Sequence, residues 1–455
     1  MNLDVFEHYP VPRAVASFAV PSILTSLVTV FYNMADTFFV GQTGDPNQVA
    51  AVSLATPIFL LMMACGNIFG VGGSSFLSRA LGEGKRDKVK KISSYCFISC
   101  IVVGLLMMIL FFSAMPEILR IAGSSSNTEV FAREYLSCCA YGAVFVVLSC
   151  ALGSLIRGEG AAKTAMFGMM LGTVVNIVLD PIMILGMKMG VKGAAWATVI
   201  GNVSSVLFYL GYIIFSKRTS LSINPKYFSF KEGIPLGVLT IGIPVFLNNV
   251  LMSTSNVLMN NYLVRYGDVS VAAMGVAMKA NMLVVFLQMG IAMGIQPLVG
   301  YCYGAKNHSR LKSVMKFSIL CSVVIGFTLT LVYLIFAESI VGIFIQNEEV
   351  IIYGEKMLRA LMLSSSVIGI MFVCTFSFQA MGKAVSSLIL SISRQGLIFF
   401  PVLILGNLLF GLNGVIFAQP IADLGCLIMA VIMFIYLNGQ WKKNAELELQ
   451  LSNKI

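Results

Sequence analysis

Twelve apolar stretches, each near or above 20 residues, follow one another along this chain with short connections between them. They lie near 14–40, 48–78, 92–115, 130–156, 164–187, 193–215, 233–263, 269–303, 314–336, 350–380, 384–410 and 412–437. A run of that length crosses the hydrocarbon core of a bilayer as a helix. The chain is 58% hydrophobic and only 11% charged, whereas a soluble chain carries roughly twice that charge fraction. The expected fold is therefore an all-α polytopic membrane protein with the lipid bilayer as its solvent. The start, MNLDVFEHYPVPRAV, is polar and too acidic for a cleavable signal peptide, so the first apolar span is expected to stay as a helix.

The formal charge of +10 is a topology signal and not a nucleic-acid surface. RALGEGKRDKVKK (79–91), SKRTSLSINPKYFSFKEG (216–233), AKNHSRLKSVMK (305–316), both termini and the connections holding Arg157, Lys163 and Lys383 carry 21 of the 30 Lys and Arg residues. The alternate connections, such as GQTGDPNQ and AESIVGIFIQNEEV, carry about five. Lys and Arg gather on the cytoplasmic side. Both termini are thus predicted to be cytoplasmic, in a multi-pass protein of a bacterial inner membrane. The ten cysteines are scattered singly apart from Cys138 and Cys139, and only His8 and His308 exist, so structural zinc and iron–sulfur sites are not expected. With no catalytic His/Asp or Ser–His constellation at one depth, the chain does not read as an enzyme. Gly82-Glu83-Gly84 lacks the Lys-Ser/Thr tail of a phosphate loop.

The two halves align at an offset near 222. AVPSILTSLVTVFYN (19–33) meets GIPVFLNNVLMSTSN (242–256), with Pro21 on Pro244 and Asn33 on Asn256. Gly72 and Gly82 fall on Gly294 and Gly304, each followed by a basic loop, and LDPIMILG (179–186) meets FPVLILG (400–406). Six helices repeated in parallel make two lobes, 1–222 and 223–455, related by a pseudo-two-fold axis along the membrane normal, with a cleft between them.

Inside these spans stand ionisable groups, which at bilayer depth are functional sites by default. Asp36 lies five residues before Gly41 and Asp180 six before Gly186, roughly 7–9 Å from the outer ends of their helices at 1.5 Å per residue. Thr198 is five residues into the sixth span. Asn176 and Asp180 share a helix face, being i and i+4, as do Tyr32 and Asp36. Pro181 has no N–H and frees a carbonyl near Ile177. Carboxylates, an amide, a hydroxyl and a freed carbonyl form a hard-oxygen set suited to Na⁺, and a pair of carboxylates out of water is equally a place for a proton. The alternative is that both acids only cap or pair locally.

With the repeat, PSILTSLVTVFYNMADTFFVGQTGD, RGEGAAKTAMFGMMLGTVVNIVLDPIMI and QPIAD (419–423), the chain resembles the multidrug and toxic compound extrusion (MATE) family, nearest its MepA-like and DinF-like branches. The resemblance implies a monomeric twelve-helix antiporter that expels amphiphilic, often cationic compounds in exchange for Na⁺ or H⁺, with no bound cofactor. It also implies that Asp36, Asn176, Asp180 and Thr198 form the cation site. A flippase for a lipid-linked or polysaccharide precursor on the same fold is the rival reading. Tyr32, Asn33, Asn202, Asn256 and Gln288 are expected as polar contacts in the substrate cleft. Lys279, Arg394 and Asp423, each about ten residues into its span, are expected to form a buried ionic cluster, either a structural network holding the eighth, eleventh and twelfth helices or a group that contacts substrate or gates. The second half places Met259 opposite Asp36 and has no acid inside its seventh and tenth spans, so no second cation site is expected.

Overall fold

The computed structural model describes residues 4–125 and 127–452, with the side chains of Asn33, Met34, Thr37, Ser366 and those from 441 onward outside the description. Every element among these residues is helical. The first lobe runs α1 (Val11–Gly41), α2 (Pro46–Gly82), α3 (Arg86–Ser113), α4 (Glu129–Tyr141 with Ala143–Gly158), α5 (Ala162–Gly186) and α6 (Val191–Phe215). The second runs α7 (Ile234–Leu263), α8 (Asp268–Gly304), α9 (His308–Ile335), α10 (Glu348–Leu363 with Ser365–Ala380), α11 (Ala384–Phe410) and α12 (Leu412–Ser452).

Ten of these are continuous membrane-length helices, while α4 and α10 are pairs bent by 56° and 49°. The sequence reading took both for single spans. At the first bend, a Cβ on Gly142 would lie 2.4 Å from the Val199 side chain, so glycine there lets α4 fold onto α6. The second bend falls at Ser364, whose Oγ donates to the Leu361 carbonyl at 3.1 Å. A side chain entering the backbone ladder is a recognised origin of kinks.

The lobes meet through α1, α2, α7 and α8, and the repeated glycines make the meeting possible. A Cβ on Gly72 of α2 would lie 2.2 Å from the Val238 carbonyl of α7, and one on Gly294 of α8 would lie 2.6 Å from Ala19 Cα of α1. Gly82 and Gly304 are reciprocal, since Cβ atoms there would lie 2.1 Å from the Tyr301 carbonyl and 2.2 Å from the Arg79 carbonyl. These approaches lie in the half of the molecule bearing the basic loops, called here the basic face. At that face Phe6, only 1% exposed, wedges between Tyr301 (ring centroids 4.6 Å apart) and Phe18 (5.3 Å). Arg310 ties the segment down by donating to the Tyr9 carbonyl at 2.7 Å. Toward the far face, the continuation of the same helix surface on α8 is exposed at Ala272, Gly275, Lys279 and Leu283. The lobes are closed on the basic face and parted on the other.

Candidate cation and substrate site

The site begins with two glycines. A Cβ on Gly172 of α5 would lie 2.0 Å from Ser205 Oγ and 2.6 Å from the Gly201 carbonyl of α6, and one on Gly201 would lie 2.6 Å from the Gly172 carbonyl. Their absence of side chains lets α5 and α6 cross closely. One turn beyond, the Asn176 amide reaches Thr198 Oγ1 at 3.4 Å and Asp180 Oδ1 at 3.4 Å. From α1, the Tyr32 hydroxyl stands 3.2 Å from Thr198 Oγ1. Asn202 donates to the Thr198 carbonyl at 2.9 Å and accepts from Ser149 Oγ at 2.6 Å. Asp180, Thr198 and Asn176 are buried at 0%, 1% and 2% exposure, and Asp36 is half-buried. After Asp180 the chain continues as a π-helical turn, Pro181–Gly186, of the kind often found at functional sites.

Three acceptor oxygens in this cluster are buried without a hydrogen-bond partner: Asp36 Oδ1, Asn176 Oδ1 and Asp180 Oδ2. Buried acceptors are normally satisfied, so each such group calls for an explanation. Three in one cluster, two of them carboxylate oxygens, form a set that a cation or a proton would satisfy. Among the described residues no three His, Cys, Asp or Glu side chains gather as a metal-binding group.

Tyr135 and Cys139 join this cluster from the bent α4. Both are buried. Neither was anticipated, yet the depth count would have found Tyr135. It lies six residues inside α4, the same depth from the far face as Asp180 in α5.

A cavity of about 300 Å³ opens beside the cluster, lined by Tyr32, Asn176 and Asn202 and faced from α8 by Phe286, Met289 and Met293. Of the expected cleft contacts, Tyr32 and Asn202 line it, and Asn256 is exposed on α7. The Asn33 side chain lies outside the described residues. Gln288 is a correction. It is fully buried within the second lobe and donates to the Ser322 carbonyl at 3.0 Å, because it sits on the side of α8 opposite Phe286 and Gly290. The ionic cluster is corrected as well. Arg394 Nε donates to Asp423 Oδ1 at 2.8 Å, Gln419 donates to the same oxygen at 3.0 Å, and the guanidinium lies 5.2 Å over the Phe372 ring. Lys279 stands apart and exposed, since its helix face looks toward the other lobe.

The MatE family model matches the chain twice, over residues 21–182 and 244–405. The chain belongs to the MATE family. It is 33% identical over 437 residues to the multidrug export protein MepA of Staphylococcus aureus (strain MSSA476), and 31% over 436 residues to that of Staphylococcus saprophyticus subsp. saprophyticus, covering 96% of both chains in each case. Among solved structures it is similar to a MATE protein in complex with MaL6, at TM-score 0.89 and 25% identity over 98% of this chain and 99% of that one. It is similar also to an outward-facing multidrug resistance MATE family transporter of the MOP superfamily, at TM-score 0.90 and 25% identity over 98% of each chain. The chain is a MATE-family membrane transporter and not an enzyme. The two family matches begin 223 residues apart (244 − 21), close to the offset read from the repeat.

Proposed function

We propose that this MATE-family chain is a cation-coupled multidrug antiporter of a bacterial inner membrane, working as a monomer with both termini in the cytoplasm. It exports amphiphilic, often cationic compounds by rocking its lobes, residues 1–222 and 223–455, about the glycine-lined contacts between them. The reading rests above all on the three partnerless oxygens of Asp36, Asn176 and Asp180. A carboxylate held in a low-dielectric site without a partner is costly, and Na⁺ or H⁺ arriving from the far face would relieve that cost. Tyr32 and Thr198 link this cluster to the cavity wall, so loading the cation and reshaping the cargo site would be one event. The names of the Staphylococcus relatives support multidrug export as the task.

The test is accumulation of a fluorescent cationic dye in everted membrane vesicles, driven separately by a Na⁺ gradient and by a pH gradient. One gradient should drive the dye, and Asp36→Asn and Asp180→Asn should each abolish that movement at unchanged protein level. Full transport by either variant would refute the coupling role.

A further inference from the structure

We infer that the second lobe binds one anionic phospholipid on its lipid-facing flank, with the headgroup phosphate against Lys356 and an acyl chain in the groove between α9, α10 and α12. This site is separate from the cation cluster and the cleft, and it stands whether or not the coupling reading holds. Its evidence is a place where two otherwise matched lobes differ. α3 and α9 are 28 residues each and begin 222 residues apart (308 − 86). The bends of α4 and α10 fall at Gly142 and Ser364, again 222 apart (364 − 142). The glycines that start α6 and α12 are 221 apart (411 − 190). On this register Phe112, Tyr141 and Trp196 of the first lobe correspond to Leu334, Leu363 and Phe417 of the second. In the first lobe the three rings form a row between α3, α4 and α6. Their centroids are 4.8 Å apart for Phe112 and Tyr141 and 6.4 Å for Tyr141 and Trp196. Lys192, one turn before Trp196, pairs with Glu134 of α4 at 2.9 Å and ties the two helices together.

The second lobe keeps neither device. Leu334, Leu363 and Phe417 line a groove of about 420 Å³ in place of the aromatic row. Lys356 stands where the first lobe has Glu134, and Asn413 where it has Lys192. Arg359 pairs with Glu355 at 2.7 Å, and Lys356 forms no ion pair among the described residues. All three border the groove, which gives it one surplus positive charge. A Cβ on Gly354 would lie 3.7 Å from the Ala273 carbonyl of α8. Lys356 is two residues on, roughly 200° around α10 at 3.6 residues per turn, so it looks away from α8 and from the other lobe. Ile352 and Leu363 on the groove are 67% and 58% exposed, apolar surface of the kind that meets membrane. The groove faces lipid. Leu334 is the last residue but one of α9 and Phe417 the sixth of α12, so it opens within roughly 8 Å of the helix ends, at headgroup level. Snorkelling to water would satisfy Lys356 alone, but it leaves the apolar groove beneath unfilled. A phospholipid meets both demands, since its phosphate accepts from the ammonium and its chain fills the groove. Basic pockets between membrane helices take anionic headgroups in this way.

The test is cross-linking by a phosphatidylglycerol with a photoreactive acyl chain, in phosphatidylcholine nanodiscs that hold the full-length protein. A phosphatidylcholine with the same photoreactive chain is the comparison. Peptide mass spectrometry should place the phosphatidylglycerol adducts on the segments around Leu334, Leu363 and Phe417, in excess over phosphatidylcholine. Lys356→Ala should lower that yield about fivefold, the scale of one lysine at a membrane surface, and Lys356→Arg should keep it. Leu334→Phe with Leu363→Tyr and Phe417→Trp, which rebuilds the first lobe's row, should remove the adducts with Lys356 still in place. Adducts spread evenly over the lipid-facing helices, equal labelling by the two lipids, or an unchanged yield in Lys356→Ala would overturn the proposal. Loss of the phosphatidylglycerol adducts on adding inorganic phosphate at constant ionic strength would overturn it too, by making the groove a site for a free anion.

Discussion

The reciprocal contact of Gly82 and Gly304 offers a way to change the conformational balance of this transporter without touching its site. Both residues end helices, α2 and α8, at the basic face. A methyl group on Gly82 would sit 2.1 Å from the Tyr301 carbonyl oxygen, and one on Gly304 would sit 2.2 Å from the Arg79 carbonyl oxygen. A carbon and an oxygen in van der Waals contact stand more than 3 Å apart, so each substitution forces a separation of about 1 Å between two helix backbones that have no flexible atoms to give way. Overpacking of this kind costs about 1–3 kcal/mol. Under the proposed rocking of the lobes that cost falls only on the conformer closed at the basic face, the one in which this contact exists. Alanine is otherwise the better helix former, so each lobe keeps its own stability.

Gly82→Ala and Gly304→Ala should therefore shift the ratio of basic-closed to basic-open molecules by roughly 5- to 150-fold. Because the contact is reciprocal, the two shifts should be similar. The measurement is the distance distribution between spin labels on Asp87 and Ala305, which are exposed on opposite lobes beside the contact. Each variant should add a longer-distance population at the expense of the wild-type one. Distributions unchanged in both variants would refute the reading that this contact holds the basic face shut.

Two further outcomes follow from the same geometry. Phe6→Ala removes a buried aromatic side chain, a loss of about 3–5 kcal/mol in a packed core, from the joint between Phe18 and Tyr301. It should raise the labelling rate of cysteines introduced along the basic half of α8, and unchanged labelling would show that the N-terminal segment is no part of the seal. Asp423→Asn leaves the Arg394 side chain, 13% exposed, without its carboxylate. Breaking a buried pair this way costs about 3–5 kcal/mol, so the purified protein should melt earlier, and Arg394→Met with Asp423→Leu should recover part of the loss. An unchanged melting curve in Asp423→Asn would mean that the pair does not hold α11 to α12.

Hydropathy and spacing carry depth, and depth was enough for much of this molecule. The twelve spans, the repeat and the shared level of Asp36, Asn176, Asp180 and Thr198 are all statements about height along the membrane normal. Which way a residue faces is a different quantity, and a uniformly apolar helix gives little purchase on it. Gln288 and Lys279 show the limit, since polar residues nine positions apart on α8 look in opposite directions, one into the lobe and one into the cleft. The face becomes readable once Gly290 and Gly294 are known to touch α1. The bend in α4 escaped notice for a similar reason. Gly142 is an ordinary glycine in an apolar run until Val199 is seen to lie where its side chain would be.

The asymmetry of the two lobes has a physical form in the structure. α6 and α12 start from matched glycines, Gly190 at φ 54°, ψ −132° and Gly411 at φ 58°, ψ −134°, a left-handed turn that favours glycine. Counting eight residues on reaches Thr198 in one lobe (190 + 8) and Gln419 in the other (411 + 8). Counting twelve reaches Asn202 and Asp423. In register from Pro21 and Pro244, fifteen residues on, Asp36 is matched by Met259, which is 4% exposed within an apolar cluster. The second lobe thus has no acid at that position of its first helix and carries one on its last. That acid is held by a guanidinium from the protein itself, Arg394. Asp423 Oδ2, like Asp36 Oδ1 and Asp180 Oδ2, is buried without a hydrogen-bond partner, so the difference lies in the cationic partner. Asp423 has the Arg394 guanidinium, and Asp36 and Asp180 form no ion pair among the described residues. One lobe carries its counter-cation permanently, and under the proposed coupling the other collects one in each cycle, so exchangeable coupling in this chain is expected at a single site.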